Sequence, residues 1–151
     1  MSANTLNLSS RSGAVWPASQ FPLLEQQLCQ ICGVSTRTLM ERAGHAAFQH
    51  ICRLWPQARH WRILCGSGNN GGAGYVVARL AKQAGLRVTV IACDAARLPA
   101  EARQAREQWL ACGGECLPVD SEWIGEEHLI VDALLGIGLN RAPEDPYRQL
   151  I

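Results

Sequence analysis

Apolar and polar positions follow two different periods along the chain, and these periods predict helices and strands. Apolar residues spaced three and four apart predict helices over residues 20–33, 35–55, 71–85 and 99–114. Ser35 and Thr36 are candidate caps of the second helix, and Gly85 is the predicted stop of the third. Short continuous apolar runs predict strands over 61–66, 87–93 and 128–136, with a weaker strand at 115–119. The segment DPYRQLI, residues 145–151, also has a helical pattern.

Strands that alternate with helices at these lengths predict an α/β fold, a Rossmann-like parallel sheet in three layers with helices on both faces. Ligands bind such sheets beyond the carboxyl ends of the strands. Two clusters of glycine and polar residues, 66–74 and 132–142, follow strand ends in this sequence. We therefore expect these two clusters to form the functional site.

Composition narrows the class of ligand. With 151 residues, 48% hydrophobic and 18% charged, the chain is long enough for one sizeable core. The net charge is only +1 and no block of Lys and Arg occurs, so we expect a small-molecule ligand rather than a nucleic acid or a membrane. No apolar run is long enough to cross a bilayer. We expect the serine-rich residues 1–20 to form a mobile tail before one domain over 21–151.

Cysteine usage bears on the cellular compartment. The seven cysteines are an odd number scattered along the chain, which favours reduced thiols and a cytoplasmic location. Cys29 and Cys32 form a C-x-x-C pair, for which we predict apolar packing on one helix face because no second pair stands at metal spacing. His45 and His50 are five residues apart rather than four, so they do not share a helix face for a metal ion.

The first cluster, GSGNNGGAG, packs five glycines into residues 66–74. A strand that turns through glycines directly into a helix presents backbone N–H groups at the positive end of the helix dipole, where phosphate binds well. Asn69 and Asn70 add amide groups suited to sugar hydroxyls or a hard cation. The alternative is a tight turn that needs glycine for its backbone alone. A Walker A loop is excluded because no Gly-Lys-Ser/Thr follows.

The same stretch formally matches the G-x-G-x-x-G dinucleotide fingerprint, which leaves an ordinary Rossmann domain as an alternative. That interpretation asks for an acid after the second strand to hold a ribose, and Asp94 stands there. An acid at this place is also common as a plain helix cap.

The second cluster begins with Asp132, within the apolar run HLIVDALLG. A buried aspartate costs several kcal/mol unless it is paired, hydrogen-bonded or bound to a cation. We therefore expect a role for Asp132, and the plainest alternative is a carboxylate that caps N–H groups of the adjacent loop. Gly136 and Gly138 then open a loop that carries Asn140 and Arg141, an arrangement suited to a phosphate-bearing ligand.

Taken together, the two clusters resemble the NAD(P)H-hydrate epimerase family, the YjeF N-terminal domain. The resemblance rests on GSGNNGGAG with its Ala-Arg helix and on VDALLGIGLNR, and LMERAG (39–44) resembles the family's N-terminal helix. It covers the chain from about Leu24 to Ile151. The order of motifs is most similar to the start of the bacterial bifunctional proteins, in which this domain precedes an ADP-dependent NAD(P)H-hydrate dehydratase.

The resemblance implies an isomerase that interconverts the R and S forms of hydrated NADH or NADPH. It implies a potassium ion held by Asn70 and Asp132, and Asp132 is also our candidate acid–base residue. It leaves the oligomeric state open, and a homo-oligomer is compatible with it. The substrate-binding residues that it implies are Asn69, Asn70, Gly71, Gly72, Ala73, Gly136, Ile137, Gly138, Leu139, Asn140, Arg141 and Ala142.

Two departures from the family pattern affect what is expected of the activity. Ala73 stands where the family usually has aspartate after N-N-G-G, so a carboxylate is missing. The family's remaining strands would follow Ile151, so we expect a truncated domain. Impaired activity is the consequence, and a non-catalytic nucleotide-binding module and an NAD-dependent oxidoreductase domain remain as alternatives.

Overall fold

Helices and strands alternate along the chain as the sequence pattern predicts. The computed structural model describes residues 17–93, 95–122 and 125–151. The helices and strands in these ranges are α1 Phe21–Cys32, α2 Thr36–Leu54, β1 His60–Cys65, α3 Asn69–Gln83, β2 Arg87–Ala92, α4 Ala100–Ala111, β3 Cys116–Leu117, β4 Leu129–Ala133 and α5 Tyr147–Leu150. Short 3-10 turns occur at Ala18–Gln20 and Ala95–Arg97.

Two of the predictions fall on residues that the structure does not describe. Most of the predicted tail, residues 1–16, lies outside the described ranges, and so does Asp94, the predicted ribose acid. None of the helices in the described ranges combines the length and the apolar character needed to span a bilayer.

The four strands form one parallel sheet in the order β3-β2-β1-β4. β1 pairs with β2 from His60↔Arg87 to Cys65↔Ala92, and on its other side with β4 from Trp61↔Leu129 to Cys65↔Ala133. After β1 the chain builds β2 and β3 on one side and then returns to place β4 on the other. The direction of winding therefore reverses between β1 and β4, which is where doubly wound sheets bind ligands.

The larger core lies between the sheet and the helices of one face. Trp61, Ile63 and Cys65 alternate along β1 toward this face and are fully buried, as are Tyr75 and Val76 of α3. Helix α3 lies against the sheet, and α2 and α4 pack on it. This face holds the apolar half of each strand, as the period of two requires.

A smaller apolar cluster covers the opposite face. It contains Leu64, Ile91, Cys93 and Leu134, against which Tyr147 and Leu150 of α5 pack. The predicted three-layer α/β fold is thus confirmed, although α5 is short and, within the described ranges, leaves Ile130 of the edge strand β4 50% exposed on this side.

Local signals explain where several helices begin and end. The Ser35 side chain caps α2 by accepting the Thr38 N–H at 3.1 Å, as predicted from the sequence. Gly85 has φ +79° just after α3, which confirms it as the residue that stops this helix. Two predicted boundaries were wrong by a few residues: α3 begins at Asn69 rather than 71, and β4 ends at Ala133 rather than 136.

Candidate functional site

The two predicted clusters lie side by side because β1 and β4 are neighbours in the sheet. Beyond the last pair of the register, the Gly66 N–H donates to the carbonyl oxygen of Ala133 at 3.0 Å. A Cβ atom on Gly66 would overlap the carbonyl oxygen of Leu134. Glycine is therefore required at position 66 because two backbones approach each other closely there.

Most of the other glycines in the first cluster also have a packing reason. A Cβ atom on any of the three glycines inside α3 would collide with a neighbour: Gly71 with the Gly66 carbonyl, Gly72 with Met40, and Gly74 with Ala133. Gly68 differs from them, since nothing lies within 4 Å of a Cβ placed there. Close packing thus explains four of the five glycines, none of which has a positive φ, so the backbone conformation of a tight turn is not their reason. Open space for a ligand is found at Gly68.

The start of α3 presents backbone donors that no group in the described part of the chain takes up. Gly68 is the N-cap and offers no side-chain cap, and the first backbone bond of the helix is from the Gly72 N–H to the Gly68 carbonyl at 3.1 Å. Within the described ranges, the N–H groups of Asn69, Asn70 and Gly71 have no hydrogen-bond partner. Three such donors at the positive end of a helix dipole suit a phosphate or carboxylate group.

Asn70 connects the first cluster to the second. Its Nδ2 donates to the carbonyl oxygen of Leu135 at 3.1 Å, and its Cβ would lie 3.2 Å from a Cβ on Gly136. Asn70 is half-buried at this contact, whereas Asn69 is exposed. The predicted substrate-binding residues of the two clusters are therefore brought together through this one side chain.

Asp132 is not buried, which corrects the expectation drawn from its apolar surroundings in the sequence. Its side chain is exposed, and Oδ1 accepts the Leu134 N–H at 2.9 Å. Asp132 lies on an edge strand and faces the side of the sheet on which α5 packs, so alternation along β4 places it toward solvent. The alternative interpretation, a carboxylate that caps the adjacent loop, is confirmed by this bond.

The oxygens of Asn70 and Asp132 are compatible with the predicted potassium ion. The described ranges contain no group of three or more His, Cys, Asp or Glu that could hold a metal. Asn70 donates through its nitrogen, which leaves its amide oxygen for another partner, and Asp132 engages Oδ1 in the loop, which leaves Oδ2. One amide and one carboxylate oxygen at the same end of the sheet are donors that suit a hard cation.

The loop over residues 136–142 projects into solvent. The Leu139 N–H donates to the Gly136 carbonyl at 3.2 Å, and the side chains of Ile137 and Leu139 are 57% and 49% exposed. Asn140, Arg141 and Ala142 are exposed as well. Arg141 forms no ion pair with any residue that the structure describes, so its guanidinium remains available to an anionic ligand.

Ala73 lies deeper in α3 than the sequence suggests. Because the helix begins at Asn69, Ala73 is in its second turn, and its side chain is half-buried against the main core. A helix that began at residue 71, as predicted, would have placed Ala73 in its first turn, and the observed start at Asn69 corrects this. The effect of the helix dipole on a charge falls off beyond the first turn.

One contact of the site was not found from the sequence. The Ser67 N–H donates to the hydroxyl of Tyr147 at 3.0 Å, and the two hydroxyl groups share a hydrogen bond of 2.6 Å. These residues are 80 positions apart. Ser67 lies within the first cluster but was assigned no role there, and Tyr147 lies outside both clusters. The only signal was the helical pattern of DPYRQLI, which places a tyrosine soon after the second cluster.

A second polar cluster occupies the amino end of the sheet. Arg62 of β1 and Glu127 bind each other with side chains 1% and 4% exposed, and His60 Nε2 lies 3.0 Å from Thr89 Oγ1. Desolvation alone would raise the pKa of Glu127, but hydrogen bonds and charge from Arg62 outweigh it and hold that pKa below its ordinary value. Nearby, Arg87 and Glu126 pair at 3.2 Å with both side chains 62% exposed.

The seven cysteines are all free thiols within the described ranges. Burial raises the pKa values of Cys65, Cys93 and Cys116. In α1, only Leu24 is buried, Cys29 is half-buried and Cys32 is exposed. The predicted apolar packing of the C-x-x-C pair is therefore wrong for Cys32, because α1 touches the rest of the fold mainly through Leu24.

Comparison with known proteins identifies relatives of this arrangement. The family described as YjeF-related protein N-terminus matches residues 36–151. The chain is 50% identical over 139 residues to the bifunctional NAD(P)H-hydrate repair enzyme Nnr of Escherichia coli, covering 91% of this chain and 27% of that protein. It is 44% identical over 112 residues to the NAD(P)H-hydrate epimerase of Rhodobacter capsulatus, covering 68% of this chain and 52% of that protein.

A solved structure has the same fold. The crystal structure of the yeast protein ynu0, YNL200c, matches with a TM-score of 0.80 and 25% sequence identity, over 91% of this chain and 63% of that one. The chain thus spans between about a quarter and two thirds of the length of these relatives.

Proposed function

Because the chain belongs to the family described as YjeF-related protein N-terminus, we propose that it catalyses the epimerisation of hydrated NADH or NADPH. The observation that carries the proposal is the meeting, at the switch point of the sheet, of the Asn70 side chain, the exposed loop 136–142 and three N–H groups that are unpaired among the described residues. This arrangement suits a phosphate-bearing dinucleotide. Relatives named for the same substrate support it.

The chemistry needs little from the protein. In hydrated NAD(P)H a hydroxyl sits on the ring carbon next to nitrogen, so protonation and loss of this hydroxyl as water gives an iminium ion. Water then attacks either face, and a proton returns to the medium, which interconverts the R and S forms. The protein must hold the ring, move protons at the departing and attacking oxygens, and stabilise the cationic intermediate.

Asp132 is the carboxylate that we assign to this task. It is exposed at the carboxyl end of β4, so water can reach it. Its negative charge would stabilise the positive charge of the iminium ion. Its bond to the Leu134 N–H fixes the carboxylate at the start of the loop. The same side chain is our proposed potassium ligand together with Asn70, and a bound cation would supply fixed positive charge for the phosphates.

The proposal also covers the cellular compartment, the class of substrate and the rest of the protein. Seven free thiols favour a reducing, cytoplasmic compartment, and a small-molecule substrate agrees with the net charge of +1. Relatives named bifunctional suggest that a longer form of this protein would join the epimerase to a dehydratase domain. A homo-oligomer stays compatible with this picture.

The test is turnover of a single epimer. R-hydrate of NADPH is incubated with the chain, and S-hydrate is followed by chromatography against the uncatalysed rate. We expect interconversion that saturates with substrate. No acceleration together with measurable NADP⁺ binding would favour the non-catalytic module, and hydride transfer from intact NADPH would favour the oxidoreductase.

A further inference from the structure

Tyr147 and Ser67 connect the segment after the second cluster to the glycine turn. The phenol oxygen accepts the Ser67 N–H at 3.0 Å and shares a 2.6 Å hydrogen bond with the Ser67 hydroxyl. The tyrosine ring is half-buried and packs on the apolar cluster that contains Leu64 and Leu134. The hydroxyl is therefore held in place by the packing of its own ring.

This contact is the second of two attachments between the loop 136–142 and the glycine turn. The segment leaves the sheet at Leu135, whose carbonyl accepts the Asn70 amide at 3.1 Å, and it returns at Tyr147. Between these points the side chains are mostly exposed. Among residues 136–143, the backbone hydrogen bond that the structure describes runs from the Leu139 N–H to the Gly136 carbonyl oxygen. Without the Tyr147 attachment, the loop would be held to the glycine turn at its start alone.

The Ser67 N–H also differs from the donors that follow it. The N–H groups of Asn69, Asn70 and Gly71 have no partner in the described part of the chain, whereas that of Ser67 is taken by the phenol. The phenol thus satisfies the Ser67 donor, and the donors in the first turn of α3 are left for a ligand.

We propose that Tyr147 is a positioning residue that fixes the loop 136–142 over the glycine turn and so sets the affinity for the dinucleotide. This inference rests on the proposed function of the same site. It predicts that loss of the phenol hydroxyl weakens substrate binding and loosens the loop, while the chemical step at Asp132 continues at its usual rate.

The experiment compares Tyr147→Phe with Tyr75→Phe in the full chain. Both remove one hydroxyl, and Tyr75 is the only other tyrosine, buried in α3 away from the loop. For Tyr147→Phe we expect KM for R-hydrate to rise about five- to tenfold with kcat changed less than about twofold, as the loss of one or two hydrogen bonds implies. Tyr75→Phe should leave both constants unchanged.

Limited proteolysis tests the loop independently of turnover. Trypsin cleaves after Arg141, which is exposed in the loop, and Tyr147→Phe should accelerate this cleavage about fivefold or more while cleavage after Arg53 in α2 stays constant. Ser67→Ala, which keeps the N–H donor but removes the shared hydroxyl bond, should give a smaller increase in the same direction.

The outcomes separate the two proposals. If the unaltered chain does not interconvert the epimers, the proposed function fails. The role of Tyr147 is then still tested by the affinity for NADP⁺ and by the rates of cleavage by trypsin. Unchanged KM and unchanged cleavage in Tyr147→Phe would overturn the positioning role. A fall in kcat at constant KM would overturn it too, because the phenol would then act on the chemistry. Acceleration at Arg53 as well as at Arg141 would mean general destabilisation and would also count against it.

Discussion

A charged pair at the amino end of the sheet and the charged groups at its carboxyl end differ in how far they are buried. At the amino end, Arg62 and Glu127 are almost completely buried and bind each other. At the carboxyl end, Asp132 is exposed beside a loop with an exposed Arg141 and a helix start with unpaired donors in the described part of the chain. A buried pair is shielded from solvent and acts mainly within the fold, whereas exposed groups add little stability and are free to contact a ligand. Burial thus separates the Arg62–Glu127 pair from the charged groups that we propose to be functional.

The largest loss of stability is expected at the carboxyl end of the sheet, where the backbones at Gly66 and Leu134 approach each other closely. Gly66→Ala places a methyl group on the Leu134 carbonyl, which cannot rotate away, so we expect a loss of more than about 4 kcal/mol in unfolding free energy. Gly68→Ala is the matched control, since nothing lies within 4 Å of its Cβ, and it should cost about 1 kcal/mol or less. Urea denaturation of both variants decides this, and equal midpoints would contradict the close approach of β1 and β4.

Asp132→Asn tests whether the exposed carboxylate is functional. Asparagine keeps the oxygen that accepts the Leu134 N–H, so the melting temperature should hardly change. Epimerisation should fall about 10²- to 10⁴-fold, as expected for removal of a positioned acid or base. Asp120→Asn removes another exposed carboxylate and should leave the rate unaltered. A rate in Asp132→Asn equal to that of the control would remove Asp132 from the mechanism.

Glu127→Gln should show the opposite behaviour, a loss of stability without a change in turnover per folded molecule. We expect about 1.5 to 3 kcal/mol, because a buried charge-assisted bond to Arg62 is weakened. Glu126→Gln, which affects the exposed pair with Arg87, should cost no more than about 1 kcal/mol. Similar losses in the two variants would show that burial does not distinguish the pairs.

The pH dependence of that loss has a definite sign. The pKa of Glu127 is lowered in the folded chain, so the pair stabilises the fold above the ordinary glutamate pKa of about 4.3 and loses this effect as the pH falls through the lowered value. The stability difference between the unaltered chain and Glu127→Gln should therefore be constant near neutral pH and shrink in acid. Denaturation curves across this range measure it, and a difference that grows in acid would refute the assignment.

Ala73→Asp is expected to affect stability less than Gly66→Ala or Glu127→Gln. The position is half-buried in the second turn of α3, so a carboxylate there should cost about 1 kcal/mol rather than stabilise the helix. If the missing carboxylate assists the reaction, turnover of R-hydrate should nevertheless rise at least about tenfold. Ala73→Asn is the uncharged control. A flat rate in both variants would make Ala73 a tolerated variation.

The sequence predicted the fold well and the site unevenly, for physical reasons. Helix and strand periods and the glycine stop at Gly85 are local signals, and these predictions were confirmed. The exposure of Asp132 was missed because it depends on which strand lies at the edge of the sheet, and that is a property of the whole topology. The bond between Ser67 and Tyr147 was missed since it joins segments 80 residues apart, and no local pattern indicates that Tyr147 reaches the glycine cluster.

The pairing of β1 with β4 also orders events during synthesis of the chain. Asn70 and the Leu135 carbonyl that it binds are 65 residues apart, so the ribosome needs on the order of 3 to 13 s to produce the second after the first. During that interval β1 can pair with β2, but the Gly66 N–H lacks its acceptor on Ala133 and the β4 side of β1 has no partner strand. The site that we propose is therefore completed late in translation, when β4 docks against this open edge.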